Sequence, residues 1–192
     1  KTAWESSEAL YNKKFDKSTP FLGKERITAI YYYTFGKDDV YLDFNEAVRT
    51  EGPQYKTTFG FHALHFLLTD AIQALKEHRS KNVPVGQDGC VTSFRRVKRS
   101  FNGKKNTQFR FGSFTSSSLG QYSKKVERFG DKTCFEIKTC YGEDISEYSK
   151  FQIEGEVLIP PYEIFKVVDI KERSKQKDLP CEVEYKVKSA GK

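Results

Sequence analysis

Residues Phe151 to Lys166 read FQIEGEVLIPPYEIFK. Two carboxylates, Glu154 and Glu156, stand two positions apart, directly before the apolar run Val157-Leu158-Ile159, which stops at Pro160-Pro161. In an extended chain, residues two apart share one face, so both carboxylates are expected to point the same way from the mouth of a strand. Gly155 between them allows a bulge or a close backbone approach. The proline pair ends the strand, and Tyr162 to Val168 reads as the next one. On spacing alone, the plain explanation is an edge strand carrying a solvated glutamate pair. The rest of the chain decides otherwise.

The chain has 192 residues, enough for a sizeable core. Sixteen Phe and 11 Tyr beside a single Trp fit a mixed or β-rich globular domain rather than disorder. No apolar run approaches the roughly 18 to 20 residues of a membrane span. The net charge of +7 favours anionic partners such as phosphates, nucleic acid or an acidic cell surface. The sequence starts at Lys1 and lacks Met, so a processed or trimmed piece is expected, with any signal or anchor segment outside it. It contains no N-x-S/T sequon.

The four cysteines, Cys90, Cys134, Cys140 and Cys181, form no C-x-x-C pair, and His62, His65 and His78 add no zinc-ligand spacing. Two disulfides and an oxidising compartment are expected; four free buried thiols are the alternative. Cys134 and Cys140 flank the strand-like Phe-Glu-Ile-Lys-Thr. Such a strand spans roughly 20 Å, whereas disulfide-bonded Cα atoms lie within about 7 Å. These two therefore do not pair with each other. Cys90–Cys140 with Cys134–Cys181 remains open, and so does the crossed arrangement.

Thr2 to Tyr11 looks helical. Lys24 to Tyr33 is rich in β-branched and aromatic residues, a strand candidate that could begin as helix. Tyr41 to Thr50 fits a short helix that Gly52-Pro53 breaks. Phe59 to His78 is the clearest helix, with Phe61, Leu64, His65, Leu68, Ile72 and Leu75 at three- and four-residue steps. His62 and His65 on it are expected to pack or hydrogen-bond rather than bind metal. Ser80 to Gly89 is a polar loop. From Cys90 onward the pattern turns extended: Val91 to Lys98, Gln108 to Thr115, Cys134 to Cys140, Glu156 to Ile159, Tyr162 to Ile170 and Cys181 to Lys188. Leu119 to Phe129 reads as a short loop or helix. Helices first and strands later predict an α+β fold, one domain over 1–192 with a helical part to about residue 80 and a β-rich part from about residue 90.

Three features on the expected strands then line up. Arg95 lies in Ser93-Phe94-Arg95-Arg96-Val97, and Ser116 in Phe114-Thr115-Ser116-Ser117-Ser118-Leu119 at the expected end of a strand. Glu156 is the third. Taken singly each is weak, because a strand Arg is usually solvated and a Ser run is usually a loop. The surrounding words make the set specific: DFNEAVR from Asp43, LLTDAIQAL from Leu67, FRFGSFTSSSL from Phe109, IKTC from Ile137 and EGEVLIPPYE from Glu154. Together they resemble the catalytic domain of the vertebrate ecto-mono-ADP-ribosyltransferases, the arginine-specific R-S-E class shared with cholera-like toxins, over nearly the whole chain.

That resemblance implies a fold of two packed sheets behind the helical part, NAD as co-substrate, no metal, and transfer of ADP-ribose to arginine. It implies that Glu156 stabilises an oxocarbenium-like centre, that Ser116 holds Glu156 and the ribose, and that Arg95 binds the phosphate or ribose of NAD. Glu154, the first Glu of the family's E-x-E, would orient the acceptor guanidinium and take its proton. In the family, Gln there accompanies NAD hydrolysis. Thr115 and Arg96 would border the NAD site, with Arg96 standing where the family commonly has Gly and offers backbone groups to the nicotinamide amide. Phe129 would stack on nicotinamide; a plain core Phe is its alternative. Ser146 to Ile153 would be the acceptor-recognition loop, with Tyr148 or Phe151 contacting the acceptor. The family's inner disulfide corresponds to Cys90–Cys140, leaving Cys134 and Cys181 for each other. Its outer cysteines are absent, which implies trimmed termini. The implied partners are NAD and an arginine-bearing acceptor protein, not nucleic acid. The implied protein is a monomer, secreted or held at the cell surface by an anchor outside this chain.

Two other readings compete. One is NAD hydrolysis on the same fold. The other is an inactive basic extracellular binder, built on Arg95, Arg96, Lys98, Arg99, Lys104, Lys105 and Arg110 interleaved with Phe94, Phe101, Phe109 and Phe111.

Overall fold

The computed structural model describes residues 3–15, 21–34, 40–81, 88–124, 126–149 and 155–192. Four helices come first: α1 (Ala3–Lys14), α2 (Lys24–Thr34), α3 (Val40–Thr50) and α4 (His62–Ser80). Strands follow: β1 (Val91–Val97), β2 (Gln108–Phe109), β3 (Thr115–Leu119), β4 (Thr133–Thr139), β5 (Glu143–Asp144), β6 (Glu156–Ile159), β7 (Ile164–Glu172) and β8 (Val183–Gly191). A single-turn helix, α5 (Val126–Phe129), lies between β3 and β4. The α+β reading holds. Lys24 to Tyr33 is helix rather than strand. Its Ile27, Thr28, Ala29, Ile30, Tyr31 and Tyr33 are all buried, so packing on several sides outweighs the β-preference of its side chains.

The eight strands form one hydrogen-bonded series in the order β2-β7-β8-β4-β1-β3-β6-β5. Among the described residues only β4 and β8 run parallel. The two packed sheets expected from the sequence are two halves of this one series. Val157 and Ile159 of β6 pack with Phe135, Ile137, Phe165, Val167, Tyr185 and Val187, although β6 bonds to none of β4, β7 or β8. The sheet therefore curls until its halves meet face to face. Leu158 turns the other way, into a second core with Ile27, Ile30, Tyr33, Phe44, Leu68, Ile72 and Phe114. Strand β6 is thus covered on both faces, by β-strands on one and helices on the other.

The strand expected over Gln108 to Thr115 is instead two short pieces, β2 and the start of β3. Gly112, at φ 77°, breaks the extended path between them. Phe101, Phe109 and Phe111 pack against the inter-sheet core, and Phe101 meets Tyr185 edge-on at 5.0 Å. These rings are used inside the fold. Strand β5 has no signal in the sequence, being two residues long and charged.

The disulfides are Cys90–Cys140 and Cys134–Cys181, with Cα atoms 4.1 and 5.6 Å apart. The helical half is tied to the sheet by Arg79 in the last turn of α4. Its guanidinium forks onto the Glu143 carboxylate at 2.6 and 2.8 Å and donates to Gly89 O at 2.6 Å, beside Cys90. Glu143 is only 2% exposed. Removing Arg79 would strand a buried charge, a loss of about 3–5 kcal/mol for a fully buried pair. Arg79 is itself 33% exposed, so Arg79→Ala is expected to cost about 2 kcal/mol. The check is a lower urea midpoint with an unchanged m-value.

Candidate active site

Strand β1 pairs with β4 along its whole length, from Val91↔Thr139 to Val97↔Thr133. On its other side it pairs with β3 only at Ser93↔Leu119 and Phe94↔Ser118. Beyond Phe94 the two strands part. Arg95 is the first residue past the last pair, and its guanidinium Nη1 donates to Ser116 O at 2.5 Å across the opening. The carbonyl that β1 no longer serves takes its bond from a side chain instead.

Strand β3 stays paired to β6, with Ser116↔Leu158 and Ser118↔Glu156. Ser116, Ser118 and Glu156 therefore share the helix-facing side of these strands, Ser116 standing diagonally from Glu156 at about 7–8 Å. Glu156 O accepts from Ile145 N at 2.8 Å, and its Oε2 accepts from Ser149 Oγ at 2.9 Å. Gly155 O accepts from Leu119 N at 2.7 Å. At φ 55°, with Leu119 Cβ only 3.2 Å from where its own Cβ would stand, Gly155 makes the close approach expected of it. Glu154 and Phe151 lie outside the described residues.

Behind Ser116 stands Tyr33 of α2. Its hydroxyl donates to Phe114 O at 3.0 Å and accepts from Asn45 Nδ2 at 3.2 Å. It also meets the side chain of Ser116. Burial, and then the neighbouring Tyr41 and Glu156, hold this phenol well above its usual pKa. It remains a neutral donor. Asn45 Oδ1 is buried without a hydrogen-bond partner among the described residues.

Consecutive strand residues face opposite ways, and the two adjacent arginines show it. Arg96 reaches Pro180 O at 2.7 Å and Cys181 Sγ at 3.6 Å, with its guanidinium 5.6 Å from the Tyr122 ring centre. Its Nη1 serves the disulfide face, while its Nε is buried without a hydrogen-bond partner among the described residues. Thr115 is buried and donates to Ser113 O at 3.1 Å. Phe129 ends α5 half-buried, with the Arg128 guanidinium 5.1 Å from its ring centre. Tyr148, expected to meet an acceptor, is instead 4% exposed. It packs against Phe15 at 6.2 Å, and burial, then Glu147, raises its pKa to about 12. His62 and His65 sit among Tyr55 and Phe59 as packing residues. Among the described residues no group of His, Cys, Asp and Glu could hold a metal ion.

Arg95 is thus joined to the backbone of Ser116, Ser116 stands diagonally from Glu156 across the β3–β6 pair, and the Arg96 and Thr115 side chains make their contacts elsewhere. Two members of the site were not singled out in the sequence. Tyr33 sits in a run read as a strand candidate that could begin as helix, and Ser149 within the stretch 146–153 that the resemblance makes the acceptor-recognition loop.

Comparison with known proteins gives a consistent result. The family profile described as NAD:arginine ADP-ribosyltransferase matches residues 1–188. The chain is 36% identical over 172 residues to an erythroblast NAD(P)(+)–arginine ADP-ribosyltransferase of Gallus gallus, covering 86% of this chain and 54% of that protein. It is 35% identical over 186 residues to ecto-ADP-ribosyltransferase 5 of Mus musculus, covering 91% and 57%. It spans about half the length of these curated relatives. The crystal structure of the eucaryotic mono-ADP-ribosyltransferase ART2.2 superposes with a TM-score of 0.69 at 32% identity, over 99% of this chain and 78% of that one. A mutant of that enzyme was solved in complex with NAD, and superposes with a TM-score of 0.67.

Tyr33→Phe removes the donor to Phe114 O and the acceptor for Asn45. It is expected to lower stability by about 1–3 kcal/mol, read as an earlier chemical-denaturation midpoint.

Proposed function

The chain belongs to the NAD:arginine ADP-ribosyltransferase family, and from that premise we propose that it moves ADP-ribose from NAD to arginine side chains of an acceptor protein, releasing nicotinamide. The observation that carries this reading is the Arg95 bridge to Ser116 O in the opening between β1 and β3, with Glu156 on the strand next to Ser116. It supports a fixed cation, a hydroxyl and a carboxylate acting from adjoining strands.

In this reading the glycosidic bond between ribose C1′ and the nicotinamide nitrogen breaks, and its electron pair leaves with neutral nicotinamide. The positive charge left on the ribose is stabilised by the Glu156 carboxylate, held in place before the charge appears. Arg95 faces the anionic part of NAD and fixes the wall of the cleft through Ser116. The backbone at Arg96 holds the nicotinamide amide, and Phe129 covers the ring. An acceptor guanidinium has no lone pair to give until it loses a proton. Glu154 takes that proton as the arginine nitrogen bonds to C1′. Residues 1–192 act as one catalytic domain. The two disulfides support work in an oxidising, extracellular setting.

The test uses labelled NAD and agmatine, following ADP-ribosyl-agmatine and free ADP-ribose separately. Glu156→Gln is expected to lower both products by about 100-fold or more. Glu154→Gln is expected to abolish transfer while keeping hydrolysis. Equal loss of both products in the two variants would overturn the division of roles. Free ADP-ribose alone from the unmodified protein would make it a hydrolase. Neither product from folded, oxidised protein would reject the enzyme reading.

A further inference from the structure

The arc from Ile145 to Ser149 is fastened to residue 156 twice. Ile145 N donates to Glu156 O at 2.8 Å, and Ser149 Oγ donates to Glu156 Oε2 at 2.9 Å. Both ends of the arc are anchored. Ile145 is fully buried, Tyr148 is 4% exposed and Ser149 is 1% exposed. The turn Ser146–Tyr148 closes onto Ser149 through Ser149 N to Ser146 O at 3.4 Å. The Ser149 hydroxyl therefore comes from a site that cannot drift, and it meets one chosen oxygen of the carboxylate.

From this geometry we infer that Ser149 is a positioning residue for Glu156, fixing the plane of its carboxylate for cleavage of the glycosidic bond. The inference rests on the proposed function only for the reaction it affects. A carboxylate accepts and cannot donate. A donor seated on Oε2 fixes the torsion of the group and so the direction of Oε1. The Glu156 backbone is set by its pairing with Ser118 and its bond to Ile145, and the Ser149 bond acts on the side chain. The bond also favours the charged form of the glutamate, as any donor to a carboxylate does.

Among the described residues, Tyr33 of α2 faces Glu156 electrostatically, and substitution at 149 leaves it unaltered. Ser149→Ala is expected to reduce kcat for both nicotinamide release and agmatine transfer by about tenfold, with KM for NAD unchanged. The acidic limb of the kcat profile is expected to rise by about one pH unit, because the ionised Glu156 loses a donor. Ser149→Thr, which keeps the hydroxyl, is expected to restore both. A 13C NMR titration of the Glu156 carboxyl in unmodified and Ser149→Ala protein reads the same shift without turnover. If the unmodified protein cleaves no NAD, the function fails while the titration still decides the inference. An unmoved carboxyl titration overturns the inference. So does a stability loss whose activity deficit the folded fraction fully explains.

Discussion

The structure depends on the parting of β1 from β3. Inside a sheet, a carbonyl that loses its neighbouring strand is left without a donor, and burial makes that costly. Here Arg95 supplies the donor to Ser116 O from the strand that has moved away. The same side chain therefore closes a hydrogen-bond deficit in the fold and leaves a cation at the wall of the opening. Neither strand is loose. β1 is paired over seven residues with β4, and β3 over four with β6. Each strand is held on its far side, so the gap is as rigid as the strands that border it.

The helical half supports the opening from behind. Tyr33 binds the chain two residues before Ser116 and meets the Ser116 side chain. Asn45 of α3 completes the cluster. Farther off, Arg79 and Glu143 join the end of α4 to β5, the strand beside β6. β6 thus lies between two cores, and Glu156 stands at its first position, where the burial of Val157, Leu158 and Ile159 stops. The run of three fully buried residues fixes the strand, and the carboxylate is the first side chain beyond it. Coverage on both faces explains why the apolar run before Pro160 is continuous rather than alternating.

Much of this was readable in the chain. Glu156 to Ile159 is bounded by Gly155 and a proline pair, and the strand has those limits. Helix α4 carries a clean 3.6-residue period, and it folds as a helix where that period runs. The impossibility of a Cys134–Cys140 bridge followed from strand rise alone. The failures have physical causes. Lys24 to Tyr33 is apolar nearly all round because α1 and α4 both pack on it, so its composition resembled a buried strand. Tyr148 looked available because it sits in a polar loop, yet a single turn rotates its ring into the helical core. The opposed directions of Arg95 and Arg96 follow from strand alternation, but which of them faces the opening depends on where β3 leaves β1. That is a tertiary fact with no local signal. The hydroxyl of Ser149 finds Glu156 only through the curl of the intervening turn.

The parallel pairing of β4 with β8 has a bearing on how the molecule is made. β8 is the last strand in the series, yet it inserts between β4 and β7. During synthesis β4 emerges with one flank already matched by β1 and the other waiting for a partner roughly fifty residues away. Cys134 waits with it, since Cys90 and Cys140 are both out before Cys181 follows. Through that interval the chain offers three thiols for one native bridge. Once β4 is extended it holds Cys134 and Cys140 apart, and Cys90 is then guided to Cys140 by the β1–β4 pairing. Strand geometry thus acts as a proofreader of thiol pairing in the nascent chain.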